Sequence, residues 1–141
     1  VITQVCPGLA DAVEAGAFDT PEVRALLERC LEPLLAAGAD QLVLACTHYP
    51  LAWPAIEAIV GEAMSIIDPA PAVARQTGRV LARRGVEAAK DRRGRHRLFT
   101  SADPARFSEM VDLLVPASGR QPQIRRVLWR GARLEVDCSR P

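Results

Sequence analysis

Hydrophobic positions in the first half of the chain alternate between helical spacing and short continuous apolar runs. Residues 20–38 show helical spacing after Thr20, a favourable cap, and Pro21, which suits the first helical position. Apolar runs over residues 41–45 and 64–67 are typical of buried strands, with helices expected from Pro54 and from near Pro71 to Gly85. Strands that alternate with helices predict an α/β fold, with a mostly parallel sheet flanked by helices.

The remaining segments carry weaker patterns of the same kind. We predict a short strand over residues 1–5, a short helix over 9–14, a strand over 98–100 and a helix that starts at Asp103. Two further strands, 127–129 and 134–136, form a predicted hairpin around Gly131, while residues 85–96 and 118–123 are predicted loops. The loop after Asp68 is the candidate domain boundary.

Composition and charge are those of an ordinary globular protein. The 141 residues are 49% hydrophobic and 25% charged, with a formal net charge of +1. This charge balance argues against a nucleic-acid partner. The basic stretch over residues 83–97 is interrupted by Glu87 and Asp91 and has no interleaved aromatic residue before Phe99, so we favour a solvated loop there. No apolar run reaches the ~20 residues of a membrane helix, so no membrane partner is expected.

The start of the chain and its cysteines bear on its completeness and its compartment. The first residue is Val1, and residues 1–5 resemble the middle of a sheet, so we expect a fragment or a truncated product. No signal-peptide pattern is visible. The four cysteines form no C-x-x-C pair, which leaves a zinc site unsupported. Reduced thiols in a cytoplasmic protein fit best.

The chemistry of the chain is concentrated where the run over residues 41–45 ends. Cys46, Thr47 and His48 come directly after it, at the carboxyl end of a strand, which is where open α/β sheets bind ligands. A neighbouring imidazole or helix start favours the thiolate form of a cysteine. Thr47 and His48 could hydrogen-bond a charged substrate. A packed, inert thiol is the better interpretation for an isolated cysteine, and Tyr49 is interpreted as a turn filler.

The segment Ala45-Cys46-Thr47-His48-Tyr49-Pro50-Leu51 resembles the second cysteine motif of the glutamate racemases, in the aspartate/glutamate racemase superfamily. Three other segments resemble the same family. They are Cys6-Pro7-Gly8-Leu9 with Glu14 and Gly16, Ile66-Ile67-Asp68, and Phe99-Thr100 with Asp103, Arg106 and Phe107. The resemblance covers the chain up to about Val115.

The resemblance implies a cofactor-independent and metal-independent interconversion of L- and D-glutamate by two cysteines. Cys46 corresponds to the second of these cysteines. Thr47 and His48 correspond to substrate-binding residues, and His48 is also placed to assist Cys46. Glu14 corresponds by position to an acidic residue that orients the histidine, although a solvated helix charge is an equal alternative. The implied partner is glutamate, the implied product D-glutamate serves peptidoglycan synthesis, and a homodimer stays open.

The sequence departs from the family in lacking its first cysteine motif, an Asn-Thr context after a strand, and its N-terminal Asp-Ser motif. The chain therefore resembles the C-terminal half of a two-domain, pseudo-symmetric racemase. We predict that residues 1–68 form the C-terminal catalytic domain, incomplete at its start, and that residues 69–141 return to pack on a missing N-terminal domain. The chain alone is expected to be inactive. The alternatives are an aspartate racemase or related superfamily member, and a non-catalytic binding or regulatory module.

Overall fold

The computed structural model describes residues 1–89, 91, 94, 96–115 and 122–137. The chain divides into two compact units, Val1–Glu87 and Ala88–Pro141. The assignment of residues 1–68 and 69–141 to two domains of a larger protein stays a prediction.

The first unit has four α-helices and two short strands among its described residues. The helices are α1 (Leu9–Glu14), α2 (Pro21–Ala36), α3 (Trp53–Val60) and α4 (Ala70–Arg84). Strands β1 (Gln41–Val43) and β2 (Ser65–Ile67) pair in parallel, with Gln41 opposite Ser65. Single 3₁₀ turns over Tyr49–Ala52 and Gly61–Ala63 flank α3.

Local sequence signals explain where the first two helices begin. The Thr20 side-chain oxygen accepts a hydrogen bond from the backbone N–H of Val23 at 3.3 Å, and Pro21 occupies the first turn of α2. Gly8 begins α1 with a φ of 88°, a left-handed conformation that favours glycine. The predicted helix starts at both places are confirmed.

The hydrophobic core of the first unit lies where α1, α2 and α3 meet. Leu9 and Val13 of α1 are 1% exposed and Ile56 of α3 is 2% exposed. Burying each such side chain contributes about 1.5–3 kcal/mol relative to leaving it in water. The buried face of α2 has the predicted helical spacing and consists of Val23, Leu27, Cys30, Leu31 and Leu34. Because Val13 is anchored in this core, the next residue, Glu14, has a fixed position at the end of α1.

Helix α4 differs from the other helices of the unit because none of its described residues is buried. Val73 is 62% exposed and Leu81 is 40% exposed, while Val80 is partly covered. Its apolar face therefore forms no core within the first unit.

The second unit combines one helix with a three-stranded sheet. It contains β3 (Arg97–Thr100), α5 (Pro104–Leu114), β4 (Gln123–Arg130) and β5 (Arg133–Val136). Strand β4 pairs in parallel with β3 and antiparallel with β5. The Asp103 carboxylate accepts a hydrogen bond from the N–H of Ala105 at 3.0 Å, which caps α5 as predicted. The hairpin turn contains Gly131, with a φ of 60°.

The α/β class is confirmed, but the described sheets are small and mixed, with β4–β5 antiparallel. The predicted strand over residues 1–5 is wrong. A strand needs a hydrogen-bonding neighbour, and within the described part of the chain no segment pairs with it. Of the predicted loops, residues 90, 92, 93, 95 and 118–121 lie outside the described residues. In the part of the chain that is described, no helix is both long and apolar enough to cross a membrane.

Candidate active site

The turn after β1 carries the cysteine that the sequence singles out. Leu44 is buried, and its N–H donates to the carbonyl of Ile67 at 3.0 Å, which continues the β1–β2 ladder one residue past β1. The chain then leaves the sheet, so Cys46 lies just beyond the carboxyl ends of two parallel strands. Its side chain is half-buried and reaches solvent.

The Cys46 sulfur is surrounded by groups that favour its ionised form. The backbone N–H of His48 lowers the pKa of the Cys46 thiol most, the His48 imidazole lowers it further, and burial opposes both effects. The Sγ atom lies 3.6 Å from Nδ1 of His48. The tight turn explains the lowered pKa of Cys46, because it places both the backbone N–H and the ring of His48 near the same sulfur atom.

Glu14 completes a line of three groups from the opposite side of His48. Its Oε1 atom lies 2.7 Å from Nε2 of the ring. This hydrogen bond is the main reason that the pKa of His48 is raised, and the hydrogen bond with Cys46 adds to it. The side chain of His48 is 32% exposed and that of Glu14 is 70% exposed, so solvent screens the pair.

The carboxylate–imidazole–thiol line can hold and release a proton at Cys46. A lowered thiol pKa and a raised imidazole pKa both favour the thiolate–imidazolium form. The thiolate can accept a proton, and the neutral thiol can return one. The structure thus brings Cys46, His48 and Glu14 together. Thr47 lies between Cys46 and His48 in the turn, with an exposed side chain.

Tyr49 makes a contact that the sequence did not predict, since the residue was interpreted there only as a turn filler. Its hydroxyl donates a hydrogen bond to the carbonyl oxygen of Cys6 at 3.5 Å, and burial is the main reason that the pKa of Tyr49 is raised. The contact joins the turn after β1 to the segment just before α1. Helix α1 is the element that carries Glu14. Tyr49 and Cys6 are 43 positions apart, so no local spacing pattern could have indicated their contact.

The other described cysteines are packed, as the sequence suggested. Cys6 and Cys30 are free and buried in the core. Burial first, and then the neighbouring Cys30 thiol, raises the pKa of Cys6 to about 12. Cys6 is therefore protonated at neutral pH, and Cys30 is shielded from solvent. Cys138 lies outside the described residues.

Two other polar residues, Asp68 and His96, occupy ordinary structural positions. The carboxylate of Asp68 accepts a hydrogen bond from the N–H of Ala70 at 2.9 Å, which caps the start of α4. His96 is exposed, and much of the basic stretch around it lies outside the described residues. Across the described ranges, no group of three or more His, Cys, Asp or Glu side chains is arranged to hold a metal ion.

Comparison with known proteins assigns this chain to a family. Residues 2–77 match the model of the Asp/Glu/Hydantoin racemase family, and the chain belongs to that family. It is 44% identical over 115 residues to the glutamate racemase of Roseiflexus sp. (strain RS-1), a match that covers 81% of this chain and 42% of the relative. It is 42% identical over 124 residues to the glutamate racemase of Ectopseudomonas mendocina (strain ymp), covering 88% of this chain and 46% of the relative.

Solved structures of glutamate racemases share its fold. One isoform from Bacillus anthracis is similar with a TM-score of 0.77 and 31% identity, over 89% of this chain and 46% of that protein. The Thermus thermophilus enzyme, solved with β-chloro-D-alanine, is similar with a TM-score of 0.72 and 28% identity, over 88% and 46% of the two chains. The chain thus spans about half the length of the relatives it matches.

Proposed function

We propose that this chain is the C-terminal, catalytic half of a glutamate racemase that works with two cysteines and no cofactor. Cys46 is the acid/base on one face of the substrate, and His48 and Glu14 set its protonation state. Thr47 and His48 contact the substrate. The observation that carries the proposal is the line Glu14–His48–Cys46, with its contacts of 2.7 and 3.6 Å.

The chemistry needs a group that alternates between base and acid. Racemisation removes the α-proton of the amino acid on one face and returns a proton on the other. A thiol with a lowered pKa can do either, since proton transfer is most effective when the pKa lies near the working pH. Glu14 favours the protonated ring of His48, and that ring favours the thiolate of Cys46. The carbanion that develops at the α-carbon requires further hydrogen bonds within the site.

Glutamate is the favoured substrate because the relatives matched above are glutamate racemases. The Thermus thermophilus enzyme was solved with an amino-acid derivative, β-chloro-D-alanine, which agrees with a site for a free amino acid. The family description also includes aspartate and hydantoin racemases, so aspartate is the appropriate comparison substrate. D-glutamate from such an enzyme supplies peptidoglycan synthesis in the cytoplasm.

The second thiol belongs, in this proposal, to an N-terminal half outside the 141 residues. The chain spans 42–46% of the relatives, and Cys6 and Cys30 are buried in the core. The two halves form a pseudo-symmetric pair of α/β domains with mostly parallel sheets, and residues 69–141 pack on the N-terminal half. The exposed apolar face of α4, with Val73 and Leu81, supports this packing.

The decisive experiment restores the missing half. The N-terminal half of the Roseiflexus relative is fused before Val1, and exchange of the α-proton of each glutamate enantiomer is monitored by NMR in deuterated water. We expect Cys46→Ser to reduce exchange of one enantiomer by about 10²–10⁴-fold, the usual contribution of a positioned acid/base. Exchange that is unchanged in this variant for both enantiomers would rule out the role of Cys46.

Two controls accompany this experiment. Cys30→Ala removes a core thiol on α2, and the variant, once shown to be folded by circular dichroism, should retain exchange of both enantiomers. The 141-residue chain without the fused half should not racemise glutamate. Measurable racemisation by that chain would contradict the need for a second half.

A further inference from the structure

We propose that the line Glu14–His48–Cys46 equips this chain, without any second half, for nucleophilic acyl transfer. The substrates are small acyl esters with good leaving groups, and Cys46 is the nucleophile. This activity does not rest on the proposed racemase function, because it needs one thiol rather than two.

The geometry meets the requirements of a covalent thiol catalyst. Such a catalyst needs a thiol activated by a base, and a third group that orients the base. Here the Cys46 sulfur faces Nδ1 of His48 at 3.6 Å, and Glu14 holds Nε2 of the same ring at 2.7 Å. The two contacts use opposite nitrogens, so the ring can exchange a proton at Nδ1 while Nε2 stays fixed on the carboxylate.

All three groups belong to the unit Val1–Glu87. Glu14 comes directly after the buried Val13 of α1, and Cys46 lies two residues after the buried Leu44 of the β1–β2 ladder. The core of one compact unit therefore positions the whole line.

The reaction balances without any further reagent except water. The Cys46 thiolate attacks the ester carbonyl carbon, an S–C bond forms, and the C–O bond to the leaving group breaks as that group departs with the electron pair. The protonated ring of His48 releases its Nδ1 proton to solvent, and water then attacks the thioester carbon while the neutral ring accepts a proton from that water at Nδ1. The S–C bond breaks, and the products are a carboxylic acid and the regenerated thiol–imidazole pair.

The surroundings of the sulfur define the substrate class. The backbone N–H of His48 lies close enough to the Cys46 sulfur to lower the pKa of the thiol, and a donor beside the sulfur can stabilise the negative oxygen of an acyl group under attack there. Cys46 is half-buried and Thr47 is exposed, so small acyl groups and water reach the site. A leaving group that departs as a stable anion needs no proton donor, and for this reason activated esters are the appropriate substrates.

The test uses the 141-residue chain and p-nitrophenyl acetate. We expect p-nitrophenolate release to continue beyond one equivalent, and mass spectrometry to find a transient acetyl group on the peptide that contains Cys46. Cys46→Ser should abolish that acetylation and reduce turnover to the background of the buffer. His48→Asn should reduce turnover by about 10²–10⁴-fold, whereas the matched change His96→Asn, at an exposed histidine, should leave it unchanged.

A second pair of variants tests whether Glu14 acts by positioning the His48 ring or only by adding a negative charge to the protein. Glu14→Gln should reduce turnover, while Glu57→Gln, at an exposed position on α3, should not. The pH profile of the unsubstituted chain provides a test that needs no variant. Turnover should rise with pH with a midpoint below about 8.5, the ordinary pKa of a thiol.

Three results would overturn the proposal. The first is release that stops at one equivalent, which would show that His48 does not support hydrolysis of the thioester. The second is acetylation at cysteines other than Cys46. The third is a pH midpoint at or above the ordinary thiol value. None of these results bears on racemisation by the fused protein, where both thiols are present.

Discussion

Glu14 and His48 are 34 residues apart in the sequence, yet their side chains meet at 2.7 Å. Glu14 ends α1, and His48 lies after β1 in a turn whose Tyr49 hydroxyl bonds to the Cys6 carbonyl. The contact therefore depends on packing between α1 and the turn after β1. Its consequence is chemical, because the carboxylate raises the pKa of His48 and thereby favours the thiolate of Cys46.

Removal of the Glu14 carboxylate should make Cys46 harder to ionise. In Glu14→Gln, His48 loses the bond that favours its protonated ring, so the pKa of His48 falls. A smaller population of imidazolium then leaves the Cys46 thiolate less stabilised, and the pKa of Cys46 rises. The pH profile of iodoacetamide alkylation at Cys46 should shift to higher pH. Glu57→Gln is the matched control, and a profile that coincides for both variants would contradict the role of Glu14.

Alkylation of the folded chain should discriminate among the described cysteines. Cys46 is half-buried with a lowered pKa, whereas Cys6 is buried with a pKa raised to about 12 and Cys30 is also buried. At pH 7.5, iodoacetamide should modify Cys46 at least about tenfold faster than Cys6 or Cys30, since only thiolates react. Peptide mass mapping with and without denaturant measures this ratio. Equal rates in the folded chain would show that Cys46 has no special activation.

The sequence predicted the parts of the site that are adjacent in the chain. Cys46, Thr47 and His48 stand next to one another after an apolar run, and a strand that ends there leaves the residues after it at the edge of the sheet. The pairing of Glu14 with His48 came only from the family resemblance, because no spacing rule connects residues 34 positions apart. The Tyr49–Cys6 contact had no such guide and was missed.

The misjudged parts of the fold have a common physical cause. The apolar character of residues 1–5 favours a strand, but strands exist only in pairs, and pairing depends on distant segments. Similarly, β4 runs over Gln123–Arg130, longer than the predicted 127–129, because its pairing with both β3 and β5 extends it. Helices such as α2 were better predicted since their hydrogen bonds and caps are local.

Truncation of Leu9 should destabilise the unit that holds the site. Leu9 is 1% exposed in α1, and Leu→Ala changes at such positions cost about 2–5 kcal/mol in the free energy of unfolding. The measurement is urea denaturation monitored by Trp53 fluorescence in a Trp129→Phe background. Leu81→Ala, at a position 40% exposed on α4, should change the free energy by less than about 0.5 kcal/mol. Equal losses in the two variants would contradict the core position of Leu9.

The cap at Thr20 should contribute measurably to the stability of α2. Its side-chain oxygen accepts the N–H of Val23 at 3.3 Å, and Thr20→Ala removes that acceptor, at a cost of about 0.5–2 kcal/mol. Thr77 offers the matched control, since its hydroxyl bonds to the Val73 carbonyl within the exposed helix α4. Thr77→Ala should be neutral or slightly stabilising, because alanine is the better helix former. Urea denaturation of both variants measures the difference, and a Thr20→Ala variant as stable as Thr77→Ala would show that the cap contributes nothing.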